Sequence, residues 1–206
     1  MNKIKLLVGI ALLCFVIPSV AQNRFGILGG GNLSTSSANQ SSLKPGFYIG
    51  GLYDIKLNDN WYIQPQLLFV MGGINTSTAN LKGDKYTIYF AELPILLSYN
   101  IPLKNNWNIR INAGWYLNCA LFGRNSSHVL TEIKENETTK YEFLRWNSST
   151  YDIPNSQRFS HGLKLGISFE EKHLFYNLDG TYSLKKQQYY NKGYGYTLNL
   201  GLGYKF

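Results

Sequence analysis

The chain has 206 residues, 44% of them hydrophobic and 15% aromatic, with 20 glycines, 16 tyrosines and only 16% charged residues. Its formal net charge of +8 is scattered. With no basic tract or stacking platform, that charge argues against a nucleic-acid partner.

Lys3 and Lys5 precede an apolar run from Ile4 to Ile17, and Pro18-Ser19-Val20-Ala21 follows. Small Ser19 and Ala21 frame a cleavage site before Gln22, so residues 1–21 read as a signal peptide and 22–206 as one domain. The run is short for a membrane-spanning helix. Bulky Leu13 and the continuing Phe15-Val16-Ile17 argue against lipidation at Cys14. Cleavage removes Lys3 and Lys5, leaving 18 basic against 12 acidic residues, a charge of +6. Cys119 then remains alone, so no intrachain disulfide can form.

The first strand is expected over Arg24–Leu33, with Phe25 and Ile27 on one face and a Gly29-Gly30-Gly31 run that implies strong curvature or close packing of strands. A phosphate loop would need a helix after those glycines, and none is indicated. A polar loop, Ser34–Lys44, follows. The second strand, Gly46–Leu57, sets Phe47, Ile49, Tyr53 and Ile55 against Tyr48, Leu52, Asp54 and Lys56. Asn58-Asp59-Asn60 marks a tight turn. The third, Trp61–Gly72, has Trp61, Ile63, Pro65, Leu67 and Phe69 opposite Gln64 and Gln66, and Pro65 removes one ladder hydrogen bond. After a polar loop, Gly73–Lys85, the fourth strand (Tyr86–Ile101) alternates Tyr89, Ala91, Leu93, Ile95, Leu97 and Tyr99 with Phe90, Glu92, Pro94, Leu96 and Ser98.

The fifth strand, Trp107–Leu121, carries Trp107, Ile109, Ile111 and Trp115 opposite Asn108, Arg110, Asn112 and Tyr116. Gly123–Gln157 reads as a long irregular loop. The sixth, Arg158–Glu170, opposes Phe159, Leu163, Leu165 and Phe169 to Lys164 and Ser168. The seventh, Leu174–Lys185, opposes Tyr176, Leu178 and Tyr182 to Asn177, Asp179 and Thr181. From Gly193 to Phe206 every second residue is apolar: Tyr194, Tyr196, Leu198, Leu200, Leu202, Tyr204 and Phe206. Such strict alternation marks a strand with two different environments on its faces.

Eight strands joined by alternating long and short connections form an all-β meander. The predicted fold is an eight-stranded antiparallel up-and-down transmembrane β-barrel. Short connections are the periplasmic turns, which puts both termini in the periplasm and the long loops outside. Aromatic residues agree: Trp61, Tyr99, Trp107, Phe169, Tyr204 and Phe206 all sit at short-turn strand ends with outward parity, as a membrane girdle. Phe47, Tyr89 and Tyr194 serve the outer interface.

The inward face then carries Asp54, Glu92, Arg110, Lys164 and Asp179 in a lumen that eight strands leave just wide enough for side chains. Buried charges need partners. Parity on neighbouring strands predicts the pairs Glu92–Arg110 and Asp179–Lys164, as ionic glue rather than a gated ion path. No cofactor, metal or catalytic set is indicated. His128, with Ser126, Ser127 and Glu132, lies in the long loop, and nothing in the spacing assembles a hydrolase triad. The protein is therefore expected to be non-enzymatic. Two competing readings are a soluble lipocalin-like barrel with its apolar face inward around a lipid, and an outer-membrane lipid-modifying enzyme acting through its loops.

Gly29-Gly30-Gly31-Asn32, Lys44-Pro45-Gly46-Phe47, Ala91-Glu92-Leu93-Pro94-Ile95-Leu96-Leu97, Ala113-Gly114-Trp115-Tyr116 and the Gly-x-Gly-Tyr-x-Phe ending resemble the outer-membrane β-barrel family that includes PorT-like proteins. Gly-Trp-Tyr stands where that family commonly has Gly-Pro-Tyr. The expected protein is a monomer in outer-membrane lipid of a Gram-negative bacterium, with a structural, adhesive or interaction role. The resemblance implies that the C-terminal strand ending at Phe206 is read by the barrel-assembly machinery, with protein secretion as one family theme and no shared catalytic site.

Overall fold

The computed structural model describes residues 24–38, 41–76, 85–135, 138–151, 158–186 and 193–206; at 125–135 and 138–151 it describes the backbone course alone. The expected signal peptide lies outside the described residues. The strands are β1 Arg24–Ser36, β2 Ser41–Ser42, β3 Lys44–Lys56, β4 Trp61–Thr76, β5 Lys85–Pro102, β6 Trp107–Glu135, β7 Thr138–Tyr151, β8 Phe159–Glu171, β9 Leu174–Ser183 and β10 Gly195–Lys205. Eight of them close a ring in the order β4-β3-β1-β10-β9-β8-β6-β5, with β5 pairing back onto β4. First and last barrel strands meet from Gly26↔Lys205 to Ser36↔Gly195. Every pairing is antiparallel. Closure removes free strand edges from the ring, which a lipid environment requires.

The short turns follow from residues that tolerate left-handed backbone. Asn105 and Asn106 have φ of 63° and 62° between β5 and β6, and Lys172 has φ of 55° between β8 and β9. Asparagine adopts that region at low cost. At the β3–β4 turn, Asn58 Oδ1 accepts the backbone N–H of Asn60 (3.1 Å) and of Trp61 (2.9 Å). Pro65 acts as expected: the β3–β4 ladder is interrupted between Leu52↔Gln66 and Ile55↔Ile63.

Two departures from the sequence reading stand out. Residues 123–157 are not simply irregular: β6 runs on to Glu135 and β7 returns beside it, paired from Glu135↔Thr138 to Gly123↔Tyr151. The segment is rich in β-formers such as Val129, Ile133, Tyr141, Phe143 and Thr residues. Its ribbon pairs beyond the ring, so no lipid or lumen imposes the two-faced alternation by which strands are recognised. Secondly, β6 carries a bulge: Tyr89 faces Phe122 while Phe90 faces Ala120, leaving Leu121 unpaired. A bulge places consecutive residues on one face, and both Leu121 and Phe122 are half exposed.

Burial assigns the faces. Leu198, Leu200 and Leu202 on β10 are exposed, whereas the intervening Asn199 and the later Lys205 are buried. Leu67, Ile95, Leu165 and Leu178 repeat the pattern on other strands. The apolar face is outside, which overturns the lipocalin-like alternative. A charge on that face should therefore be costly at mid-membrane. Leu200→Arg, at the centre of β10, is expected to destabilise the barrel in lipid vesicles by about 2–4 kcal/mol, and Leu174→Arg, at a strand end, by about 0–1 kcal/mol. Urea titration of the two variants in vesicles checks the depth dependence.

Aromatic rings rim this apolar band. At the turn end Trp61 packs on Tyr99 with centroids 4.8 Å apart, Phe25 stacks on Phe206 at 5.9 Å, and Tyr204 meets Phe206 edge-on at 5.2 Å. Phe169 is exposed and Trp107 half-buried there. At the opposite end Phe47, Phe69, Tyr89 and Phe122 form a continuous row across β3, β4, β5 and β6.

The charged lumen as candidate functional site

Inward parity brings side chains from every barrel strand into a space that they fill in three layers. At the turn end, Asp54 (β3), Arg110 (β6), Glu170 (β8) and Lys205 (β10) form a square of alternating charge. Arg110 Nη1 lies 2.7 Å from Asp54 Oδ2, and Arg110 Nε lies 3.1 Å from Glu170 Oε1. Lys205 Nζ lies 2.8 Å from Asp54 Oδ2 and closes the square with a short contact to Glu170 Oε1. All four side chains are buried. Gln64 Nε2 donates to the free Asp54 Oδ1 (2.6 Å), the Tyr62 ring lies 4.4 Å from the Arg110 guanidinium, and the Phe175 ring lies 5.1 Å from Lys205 Nζ. Two cations and two anions balance, and the pairs reach across the barrel, since β3 and β8 stand opposite in the ring.

The middle layer centres on Lys164 of β8. Its Nζ lies 3.3 Å from Glu92 Oε1 and 3.2 Å from Asp179 Oδ1. Asp179 also accepts Asn199 Nδ2 (2.6 Å) and Asn177 Nδ2 (2.7 Å). Asn177 joins Tyr48, whose side chain crosses from β3 over Gly30 of β1 towards Gly201 of β10. Gly30 and Gly201 face each other in the ladder, so of the two readings of the glycine run, curvature or close packing, close packing of this tyrosine is the one seen here.

Outward of these layers Val70, Ile74, Ile88, Phe90 and Ala120 join Leu68 and Tyr48 in one buried apolar cluster, with the buried Ser34 and Lys44 beside it. Except for Ile74, which the sequence places in the loop Gly73–Lys85 and the structure in β4, they lie within predicted strands on the face read as the polar one. Among the described residues the lumen holds small cavities of about 20 Å3 and about 10 Å3. Each has room for roughly one water. Neither admits a substrate-sized molecule.

All five predicted lumen residues are buried inward or nearly so, and one of the two predicted pairs forms. Asp179 and Lys164 meet because Lys164 lies diagonally across the Gly166↔Asp179 step. Glu92 and Arg110 do not. Arg110 pairs in register with Asn100, eight positions along β5 from Glu92, a separation of about 26 Å at strand rise. Shared parity put them on one face; register put them in different layers. Glu170 and Lys205 were missed as network members. The available signal was distance from the turns: Asp54, Arg110, Glu170 and Lys205 each sit within a few residues of a turn-end strand terminus. The side chains of Ser126, Ser127, His128 and Glu132 lie outside the described residues, although the backbone sets them on the β6 extension. Among the described residues no three His, Cys, Asp or Glu side chains converge as a metal set.

The family model described as outer membrane protein beta-barrel domain matches residues 20–189. No curated protein matches the sequence. Among solved structures the chain is similar to Ail, the attachment invasion locus protein of Yersinia pestis (15% identity, covering 89% of this chain and 99% of that one, TM-score 0.49). It is also similar to Neisserial surface protein A (12% identity, 88% and 97% covered, TM-score 0.47) and to OprG from Pseudomonas aeruginosa (12% identity, 89% and 96% covered, TM-score 0.46).

Proposed function

The chain belongs to the outer membrane protein beta-barrel domain family, and on that premise we propose that it is a non-conducting, non-enzymatic barrel that presents an interaction arm at the cell surface. The carrying observation is the contrast between a filled lumen and the β6–β7 ribbon that pairs beyond the ring. Charge layers and an apolar layer block the interior, so no solute path supports a porin role. The cavities are too small for a substrate. Short turns face the periplasm with both termini, reached through the signal peptide at residues 1–21, and the ribbon faces outward. The chain acts as a monomer in lipid, and its last strand is the one the assembly machinery reads. The role is structural, adhesive or interactive; a PorT-like link to secretion would use the same exposed arm or the periplasmic turns.

Four measurements test this reading. The mature protein in detergent is expected to run as a compact band that slows on boiling, and to add no conductance to planar bilayers. Protease added to intact cells is expected to cut within 125–151 and leave the barrel whole. Cleavage only after the outer membrane is permeabilised would reverse the orientation. His128→Ala should leave the cell's lipid profile unchanged; an altered profile would favour the lipid-modifying enzyme.

A further inference from the structure

The β6–β7 ribbon has a strand edge without a neighbour. β7 pairs with β6 along one side, and among the described residues no strand takes its other side. The last rung between β5 and β6 is Lys85↔Ser126. β6 then runs on to Glu135, about 30 Å further along the strand, so the tip of the ribbon stands clear of the ring. A free edge there presents a row of backbone N–H and C=O groups that can template another strand. A register shift bounds its usable length. Trp146 pairs with His128 and Leu144 with Val129, which leaves Arg145 extra, so the edge is regular only from Thr138 to Leu144.

The charges say which strand fits it. The segment reads Thr138-Thr139-Lys140-Tyr141-Glu142-Phe143-Leu144. Laid antiparallel on a second copy with full overlap, it sets Lys140 opposite the partner's Glu142, and the two-fold symmetry repeats that pair. Thr139 falls opposite the partner's Phe143, and Tyr141 opposite the partner's Tyr141. Opposite charges, aromatic pairs and aromatic with β-branched residues are the favourable cross-strand combinations. Slipping the register by two residues either way brings two lysines or two glutamates face to face. A parallel two-fold pair does both at once. The other edge of the ribbon, β6 beyond Ser126, lacks this complementarity: full overlap of Ser127–Glu135 sets His128 opposite the partner's Lys134 and Leu130 opposite the partner's Glu132.

Symmetry fixes where the second copy stands. The two-fold axis of an antiparallel pair is normal to the sheet and reverses the strand direction. The ribbon continues a barrel wall, which contains the membrane normal, so the second copy belongs to a membrane facing the opposite way. We propose that β7 pairs antiparallel over Thr138–Leu144 with β7 of a second copy on an apposed membrane, as a homophilic bridge between two cell surfaces. This inference rests on the outward arm proposed above, and each barrel stays a monomer in its own lipid.

The test places the mature protein in phosphatidylcholine vesicles and follows vesicle clustering by turbidity. Vesicles of the unaltered chain are expected to cluster. Lys140→Glu and Glu142→Lys should each slow clustering by roughly tenfold, since each turns two facing pairs into like charges. Vesicles of the first variant mixed with vesicles of the second should cluster again, because opposite charges then face each other across the pair. Both changes lie beyond the ring, so both variants should keep heat-modifiable migration. If either fails to fold, Tyr141→Cys in a Cys119→Ser background gives a second reading: mild oxidation should cross-link copies from separately labelled vesicles, and Leu144→Cys, set opposite Thr138, should not cross-link. Unaltered vesicles that stay dispersed, mixed variants that cluster no faster than either alone, or no cross-link through position 141 would each overturn the bridge. Protease separates this inference from the reading beneath it. Dispersed vesicles together with cleavage within 125–151 on intact cells remove the bridge and leave the exposed arm; cleavage only after permeabilisation removes both.

Discussion

Lys205→Met is expected to destabilise the folded barrel by about 3–5 kcal/mol, the cost of leaving buried charge uncompensated. Lys205 is 1% exposed and touches both carboxylates of the square. Without it, Arg110 alone faces Asp54 and Glu170, and one negative charge is stranded in a buried site. Methionine keeps the length of the side chain and its contact with the Phe175 ring, so packing loss is small. The double variant Lys205→Met with Glu170→Gln removes one charge of each sign and keeps the Arg110–Asp54 pair. It should recover most of the loss. Urea unfolding in vesicles, followed by tryptophan fluorescence, reads both variants. A double variant as unstable as the single one would show that the stranded carboxylate is not the cause, and that Lys205 contributes by shape.

Gly30→Val and Gly31→Val, adjacent in sequence, are expected to differ by more than ~4 kcal/mol, beyond the ordinary cost of overpacking. A Cβ at Gly30 would collide with the Leu200 carbonyl oxygen and the Gly201 Cα, backbone atoms of the strand that closes the barrel. Relief would require β1 and β10 to separate at the Gly30↔Gly201 step. A Cβ at Gly31 meets only the Gly46 oxygen, at 3.9 Å, and projects from an exposed position on the lipid face. Valine there adds apolar surface and β propensity, so Gly31→Val should fold at least as well as the unaltered chain. Heat-modifiable migration separates the two: a boiling-dependent shift for Gly31→Val and none for Gly30→Val. Equal behaviour would show that the β1–β10 seam is loose enough to absorb a side chain.

What the sequence by itself determined is the environment of each face. Lipid and lumen select residue by residue, so Leu198, Leu200 and Leu202 declare one side, and Asn199 and Lys205 the other, without reference to any distant strand. The aromatic ends at Trp61, Tyr99 and Phe206 are equally local, because each ring answers to the interface beside it. From these follow the strand count, the fold and the membrane. The β6–β7 ribbon escaped because it lies where neither lipid nor lumen imposes a period. Only the tertiary structure decided which charges meet. Arg110 finds Asp54 and Glu170 rather than Glu92 because register across several ladders, together with closure of β1 on β10, sets the height of each residue in the lumen. Height accumulates over every strand pairing and is written in no single stretch of chain.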